Sequence, residues 1–259
     1  MTPFQSIYFD ATPQAGRVID LFPASNPAHD IALFFIHGGG WKGGSRTIFH
    51  TIIHEYRQLG FDCASTDYRL GSNVEEQVSD IRTGMNIFIG DQVKRNRPTK
   101  LLLIGSSAGA HLALLTGLAK PEEYGASDEY YTVPAQIAGI AVQAAPFVFG
   151  PWEDMFPGSW TAMVRALGKP YEGNEDLYRK ACPTNYIAPG NPAVFSLYSE
   201  NEYMFPREMY VEFARRSQPL GNRVEEKIYP RTEHGFFYDL DRWQQREAFE
   251  DIKNFALSL

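Results

Sequence analysis

The sequence predicts an α/β fold, a mainly parallel central sheet covered by helices on both faces, in one domain spanning residues 1–259. Three observations carry this reading. Apolar runs of strand length alternate with helix-period segments along the chain, the pattern of β-α-β units that stack into a parallel sheet. The run Ile31–Ile36 is apolar throughout, as a strand covered on both faces requires. No repeat, low-complexity run or linker-like tract divides the 259 residues, a length that suits one large α/β domain.

The elements follow in order. Ser6–Phe9 and Arg17–Phe22 are candidates for antiparallel strands at one edge, and Ile31–Ile36 is the first buried strand. Ile48 to Leu59 carries Ile48, Ile52, Ile53, Tyr56 and Leu59 at helical spacing, and Gly60 stops it. Phe61–Thr66 is the next strand. Glu75 to Ile89 is a helix with Val78, Ile81, Met85 and Phe88 on one stripe. Lys100–Gly105 is a strand, Ala108–Leu118 a helix, and Ile137–Gln143 a strand. Ala193–Tyr198 and Val224–Tyr229 are strands with the helix Phe205–Arg216 between them, and the helix Arg242–Leu257 closes the chain. Residues 147–191 break the alternation. They are rich in Pro, Gly and aromatics, among them Trp152, Phe156 and Trp160. A cap that roofs a pocket is expected there.

Composition narrows the function classes. Hydrophobic residues make up 44% and charged residues 21%, an ordinary globular mix. A net charge of −7 offers no basic footprint for nucleic acid. The opening segment Met1–Ser6 has neither a basic nor an apolar export-signal region. No apolar stretch approaches the roughly 20 residues that span a bilayer. The two cysteines, Cys63 and Cys182, form no disulfide framework, and a cytoplasmic location is the expectation. Both read as packing residues.

Two motifs carry chemistry. Gly105-Ser106-Ser107-Ala108-Gly109 directly follows the apolar run Leu101–Ile104. This is a Gly-x-Ser-x-Gly nucleophile elbow between a strand and a helix. The turn presents Ser107 over the end of the sheet as a nucleophile. Upstream, His37-Gly38-Gly39-Gly40-Trp41 follows Ile31–Ile36, matching the glycine loop that supplies oxyanion-hole N–H groups. Gly39, Gly40 and Ala108 are the expected donors. Two such motifs, each at a strand end and in the expected order, make coincidence a poor explanation.

An elbow serine needs a base and an acid, which follow it in the order acid, then histidine. Of the six histidines, His234 alone lies beyond the late strands and before the last helix. His37 reads as bracing for the glycine loop, and His111 as a packed helix residue. His50 and His54 share a helical face but lack the rest of a metal motif, so a solvated face is expected. His29 has no evident partner. The acid must lie at a strand end between Ser107 and His234. Glu200 and Glu202 are both candidates in Ser199–Pro206. For the pocket wall, Trp41, Ser106, Trp152, Phe156, Trp160 and Phe236 are the candidates. No metal or organic cofactor is implied.

These residues resemble the α/β-hydrolase superfamily, and in particular the His-Gly-Gly-Gly carboxylesterases related to hormone-sensitive lipase. The stretch Gly105–Ala113 is similar to that group's elbow and helix, and Asp67-Tyr68-Arg69-Leu70 to its Tyr-Arg-Leu segment, which supports the site from below. His37–Trp41 with Lys42-Gly43-Gly44-Ser45 resembles small bacterial feruloyl/acetyl esterases, and kynurenine formamidases carry a similar His-Gly-Gly-x-Trp loop. In the resemblance, the acid loop reads Gly-x-x-Asp-x-x-Val-Pro. Register against Pro206 then implies Glu202 as the acid, in place of the commoner Asp. The implied activity is hydrolysis of a small-molecule ester with a small acyl group, acetyl-type or aromatic. A formamidase acting on an N-formyl aromatic amine is the alternative, and a catalytically silent hydrolase fold the third reading.

Overall fold

A computed structural model of the chain describes residues 4–9, 17–124 and 136–259. Met1–Pro3, part of the segment read above for an export signal, lie outside these residues. The strands are β1 (Gln5–Tyr8), β2 (Val18–Phe22), β3 (Ala32–Ile36), β4 (Cys63–Thr66), β5 (Lys100–Ser106), β6 (Gln136–Gln143), β7 (Ala193–Asn201) and β8 (Val224–Glu233). They form one sheet in the order β1-β2-β4-β3-β5-β6-β7-β8. β2 pairs antiparallel with β1 and with β4, and the pairings from β4 to β8 are parallel. The two N-terminal runs are thus the antiparallel edge strands that the sequence suggests.

The helices are α1 (His50–Gln58), α2 (Val74–Lys94), α3 (Ala108–Leu118), α4 (Pro157–Leu167), α5 (Glu175–Lys180), α6 (Glu208–Ser217) and α7 (Trp243–Leu257). β3 shows why they lie on both sides of the sheet. Its five residues are all buried. Ala32, Phe34 and Ile36 join one apolar layer with Ile81 and Met85 of α2, Leu112 of α3 and Phe213 of α6. Leu33 and Phe35 join the opposite layer with Ile53 and Tyr56 of α1 and Phe249 and Ile252 of α7. The period-2 alternation of a strand divides one apolar run between two cores.

Several boundaries differ from the sequence reading. A 3-10 turn over Arg46–Phe49 precedes α1, which leaves Ile48 exposed. A capping box fixes the start of α2: Asn73 Oδ1 accepts from the Glu76 N–H at 2.9 Å. That helix runs five residues past Ile89, to Lys94. α6 starts at Glu208 rather than Phe205, because Pro206 disfavours a helical conformation for the residue before it. β7 and β8 run further than their apolar runs, to Asn201 and Glu233. Pro230 is tolerated inside β8 because β8 is the edge strand of the sheet. No helix among the described residues is long and apolar enough to cross a membrane.

Candidate active site

Ser107 sits in the turn between β5 and α3 with φ 52° and ψ −118°. A non-glycine residue held at positive φ stores strain that its surroundings must sustain. Close backbone packing sustains it here. A Cβ on Gly109 would lie 2.3 Å from the carbonyl oxygens of both Ile36 and His37. Only glycine lets α3 press this closely against the end of β3. The glycine loop is held as tightly: Gly39 has φ 120°, and a Cβ there would lie 2.2 Å from Gly43 O.

Two side chains form a line that ends on Ser107. His234 Nε2 lies 2.9 Å from Ser107 Oγ. His234 Nδ1 lies 2.9 Å from both Glu202 Oε1 and Oε2. The Glu202 side chain is wholly buried and that of His234 is 15% exposed. Glu202 Oε1 also accepts the Met204 N–H at 2.8 Å, which fixes the carboxylate on its own turn. Glu200, the other acid candidate, points elsewhere and accepts the Arg231 N–H at 2.7 Å. The strand ends explain the juxtaposition. Asn201 and Glu233 are paired across β7 and β8, so Glu202 and His234 leave adjacent strands at one level. The register shift after Ser199, together with the positive φ of Arg231, brings the two ends level.

The loop that carries His234 is tied to the sheet. Gln143 at the end of β6 donates from Nε2 to Phe237 O (2.8 Å) and accepts the Phe237 N–H (2.9 Å). Tyr238 OH lies 2.5 Å from Ser106 Oγ, beside the nucleophile. Burial pushes the Tyr238 hydroxyl above the ordinary tyrosine range, so it stays protonated. Neither Gln143 nor Tyr238 carries a sequence signal, since each is one polar residue in an irregular loop or at a strand end.

Below the glycine loop, His37 stacks on Tyr68 at 4.4 Å, and Tyr68 OH donates to His37 O at 3.0 Å. His37 Nδ1–H donates to Gly38 O at 2.7 Å. Burial lowers the His37 pKa and favours its neutral form. Arg46 joins Asp67 (2.7 Å) to the buried Asp20 (2.8 Å), which also meets His50 Nε2 at 3.1 Å. Burial alone would raise the Asp20 pKa, but hydrogen bonds from His50, Ser6 and Arg46 hold it below the usual carboxylate range. The expected solvated face of α1 is therefore corrected: His50 pairs with Asp20, and both His50 and His54 pack on Phe22. His29 stacks on Phe61 and bonds Leu59 O. His111 is fully buried; its Nε2–H donates to Ala181 O (2.7 Å) and its Nδ1 accepts from Trp41 Nε1 (3.1 Å). Burial holds its pKa down at about 3, so the ring is a neutral bracket.

A cavity of about 230 Å³ opens over Ser107. Gly39, Gly40, Trp41, His234, Gly235 and Tyr238 line one part of it, and Ser159, Ala162, Met204 and Phe205 the rest. Ala108 is the first residue of α3, so its N–H has no acceptor within the helix. Of the six residues expected on the pocket wall, Trp41 alone lines this cavity. Ser106 is buried beneath it against Tyr238. Trp160 packs on Tyr171 and Tyr178, Trp152 on the core, and Phe236 on Tyr229. Phe156 is exposed against Tyr203. Their apolar area is largely spent on packing within residues 147–191 and the core.

The sequence profile of the BD-FAE family matches residues 19–216. The chain is similar to Esterase LipQ of Mycobacterium tuberculosis, 25% identical over 79% of this chain and 50% of that protein. It is also similar to a probable isoprenylcysteine alpha-carbonyl methylesterase of Arabidopsis thaliana, 23% identical over 92% of this chain and 53% of that protein. The chain thus spans about half the length of these curated relatives. Among solved structures, esterase 2 of Thermogutta terrifontis phosphonylated by sarin superposes with a TM-score of 0.83 at 20% identity, over 100% of this chain and 95% of the other. A truncated carbohydrate esterase from gut microbiota superposes with a TM-score of 0.83 at 15% identity, over 98% of this chain and 95% of the other. The fold is that of the α/β-hydrolase esterases, and the chain belongs to the BD-FAE family.

Proposed function

We propose that this chain is a serine hydrolase that cleaves carboxylic esters with a small acyl group through an acyl-enzyme intermediate. The observation that carries the reading is the unbroken hydrogen-bonded line from Ser107 Oγ through His234 to Glu202. His234 Nε2 takes the Ser107 proton as Oγ attacks the acyl carbon. Glu202 holds Nδ1 protonated and stabilises the imidazolium that forms. The N–H groups of Gly39, Gly40 and Ala108 receive the developing oxyanion, each worth on the order of 3 kcal/mol of barrier. His234 returns the proton to the departing alkoxide. Water, activated by the same imidazole, then releases the acid and regenerates Ser107.

Cavity size supports a short acyl chain. About 230 Å³ falls below the roughly 300–1,000 Å³ of sites that enclose a drug-sized ligand. Residues 147–191 act as a small cap, contributing Ser159 and Ala162 to the cavity. The test is the initial rate on p-nitrophenyl esters from acetate to octanoate, beside N-formylkynurenine and with Ser107→Ala as control. The expected result is a rate that falls with chain length and vanishes in the variant. A folded protein that turns over only the formamide would overturn the ester reading.

A further inference from the structure

The cavity is small, yet two large aromatic side chains stand exposed at its edge. Tyr203 is 62% exposed and Phe156 44% exposed. Their rings meet edge to face at 5.7 Å. Both adjoin residues of the cavity wall: Tyr203 precedes Met204, and Phe156 caps the helix that carries Ser159. Ser159 Oγ donates to Met204 O at 3.0 Å, which locks the two segments side by side. The Phe156 ring lies over Gly158, where a Cβ would come within 2.4 Å of it. Exposed aromatics held in place in this way, beside a reacting centre, form a contact surface rather than scattered surface apolarity.

Chemistry says which half of an ester reaches them. The leaving alkoxide must receive its proton from His234 Nε2. The alcohol half therefore lies on the histidine side of the scissile bond, the side on which Tyr203 stands. Two aromatic rings approach His234. Phe205, at 5.8 Å, is buried in the wall. Tyr203, at 6.4 Å, faces outward, with Phe156 beyond it. These two rings are the exposed apolar surface next to His234 that a bulky alcohol can lie against.

We propose that Tyr203 and Phe156 form a subsite for the alcohol half of the substrate, which selects a planar aromatic or otherwise flat apolar alcohol over a small aliphatic one. The inference rests on the ester-hydrolase reading above. Neither ring touches the reacting atoms, so their effect appears in kcat/KM for the bulky alcohol alone.

The experiment compares benzyl acetate with methyl acetate, which share an acyl group and have alcohols of similar basicity. Wild type, Phe156→Ala, Tyr203→Ala and the double variant are measured on both. An aromatic contact of this kind is worth about three- to tenfold. Each single variant should lose about that factor in kcat/KM on benzyl acetate and less than about twofold on methyl acetate. Because Tyr203 adjoins Glu202, Phe156→Ala is the decisive variant. Equal losses on both esters, or no loss on benzyl acetate, overturn the subsite while leaving ester hydrolysis standing. A wild-type protein inert toward both esters overturns the ester-hydrolase reading and the subsite with it.

Discussion

The two sides of the cavity over Ser107 are built on opposite principles. The floor, from His37–Trp41 and Ser106–Gly109, is backbone held by backbone. Gly39 and Gly109 occupy places where a single Cβ would lie 2.2–2.3 Å from a neighbouring carbonyl oxygen. The roof that we propose for residues 147–191 is side chain packed on side chain. Trp160, Tyr171 and Tyr178 lie against one another, and few of its atoms reach the cavity. The floor can hold donors steady for a charge that develops in the transition state. The roof can vary in shape without disturbing them. His111 joins the two, with Trp41 of the floor on one nitrogen and Ala181 of the roof on the other.

The largest effect should come from the relay that the floor supports. Glu202→Gln can turn an amide N–H toward His234 Nδ1 and so favour the wrong imidazole tautomer. A loss of about 10⁴-fold in kcat is expected with an unchanged Tm; a loss under tenfold would remove Glu202 from the relay. Next is Gly109→Ala. Overpacking costs about 1–3 kcal/mol, and shifting the elbow by even about 1 Å can cost about 10²-fold in rate. Tm and ester kcat/KM should therefore fall together; unchanged values for both would mean that the close approach of α3 to β3 is dispensable.

In the roof, Trp160→Ala should uncouple the two readouts. Removing a half-buried indole costs about 2–3 kcal/mol, seen as a lower Tm, while kcat/KM on p-nitrophenyl acetate stays within about threefold. A rate loss beyond tenfold at unchanged Tm would put the roof into the chemistry and dissolve the contrast. A separate effect, read against pH rather than against rate, belongs to the bracket between the two sides. His111 has a folded pKa of about 3 against an ordinary value of 6.5, so the unfolded chain binds the extra proton between those values. Its contribution to stability is complete above about pH 6.5 and falls by about 1.4 kcal/mol per pH unit as pH drops toward 3. His111→Gln should be less stable at pH 7 yet decline less steeply in acid. Parallel curves of Tm against pH would contradict the bracket.

The same contrast explains what was legible in the sequence. The floor could be read because its demands are local: a glycine at positive φ, or a glycine at a point of close approach, leaves its mark at one position of a short motif. Ser107, Gly39, Gly40, Trp41 and His234 accordingly fall together around one cavity. Glu202 needed the register against Pro206, since Glu200 stands two residues away in the same loop. The roof could not be read because aromatic content does not encode direction. Trp152, Phe156 and Trp160 suggested a pocket wall, but the packing of α4 turns Trp160 inward and leaves Phe156 outside. Tyr238 and Gln143 were invisible for another reason: their hydrogen bonds span 132 and 94 residues of chain, and no periodicity reports contacts at that separation. The extensions of β7 and β8 were masked by polar residues and by Pro230, which only an edge position allows.

The central claim is that Ser107 is a nucleophile activated by His234. Intact-protein mass spectrometry after exposure to a fluorophosphonate, followed by peptide mapping, tests it most directly. The account predicts one stoichiometric adduct on the peptide that contains Ser107. It should be absent from Ser107→Ala and form at least about 10²-fold more slowly in His234→Ala. No adduct on the folded wild-type protein, or an adduct that persists in Ser107→Ala, would contradict it.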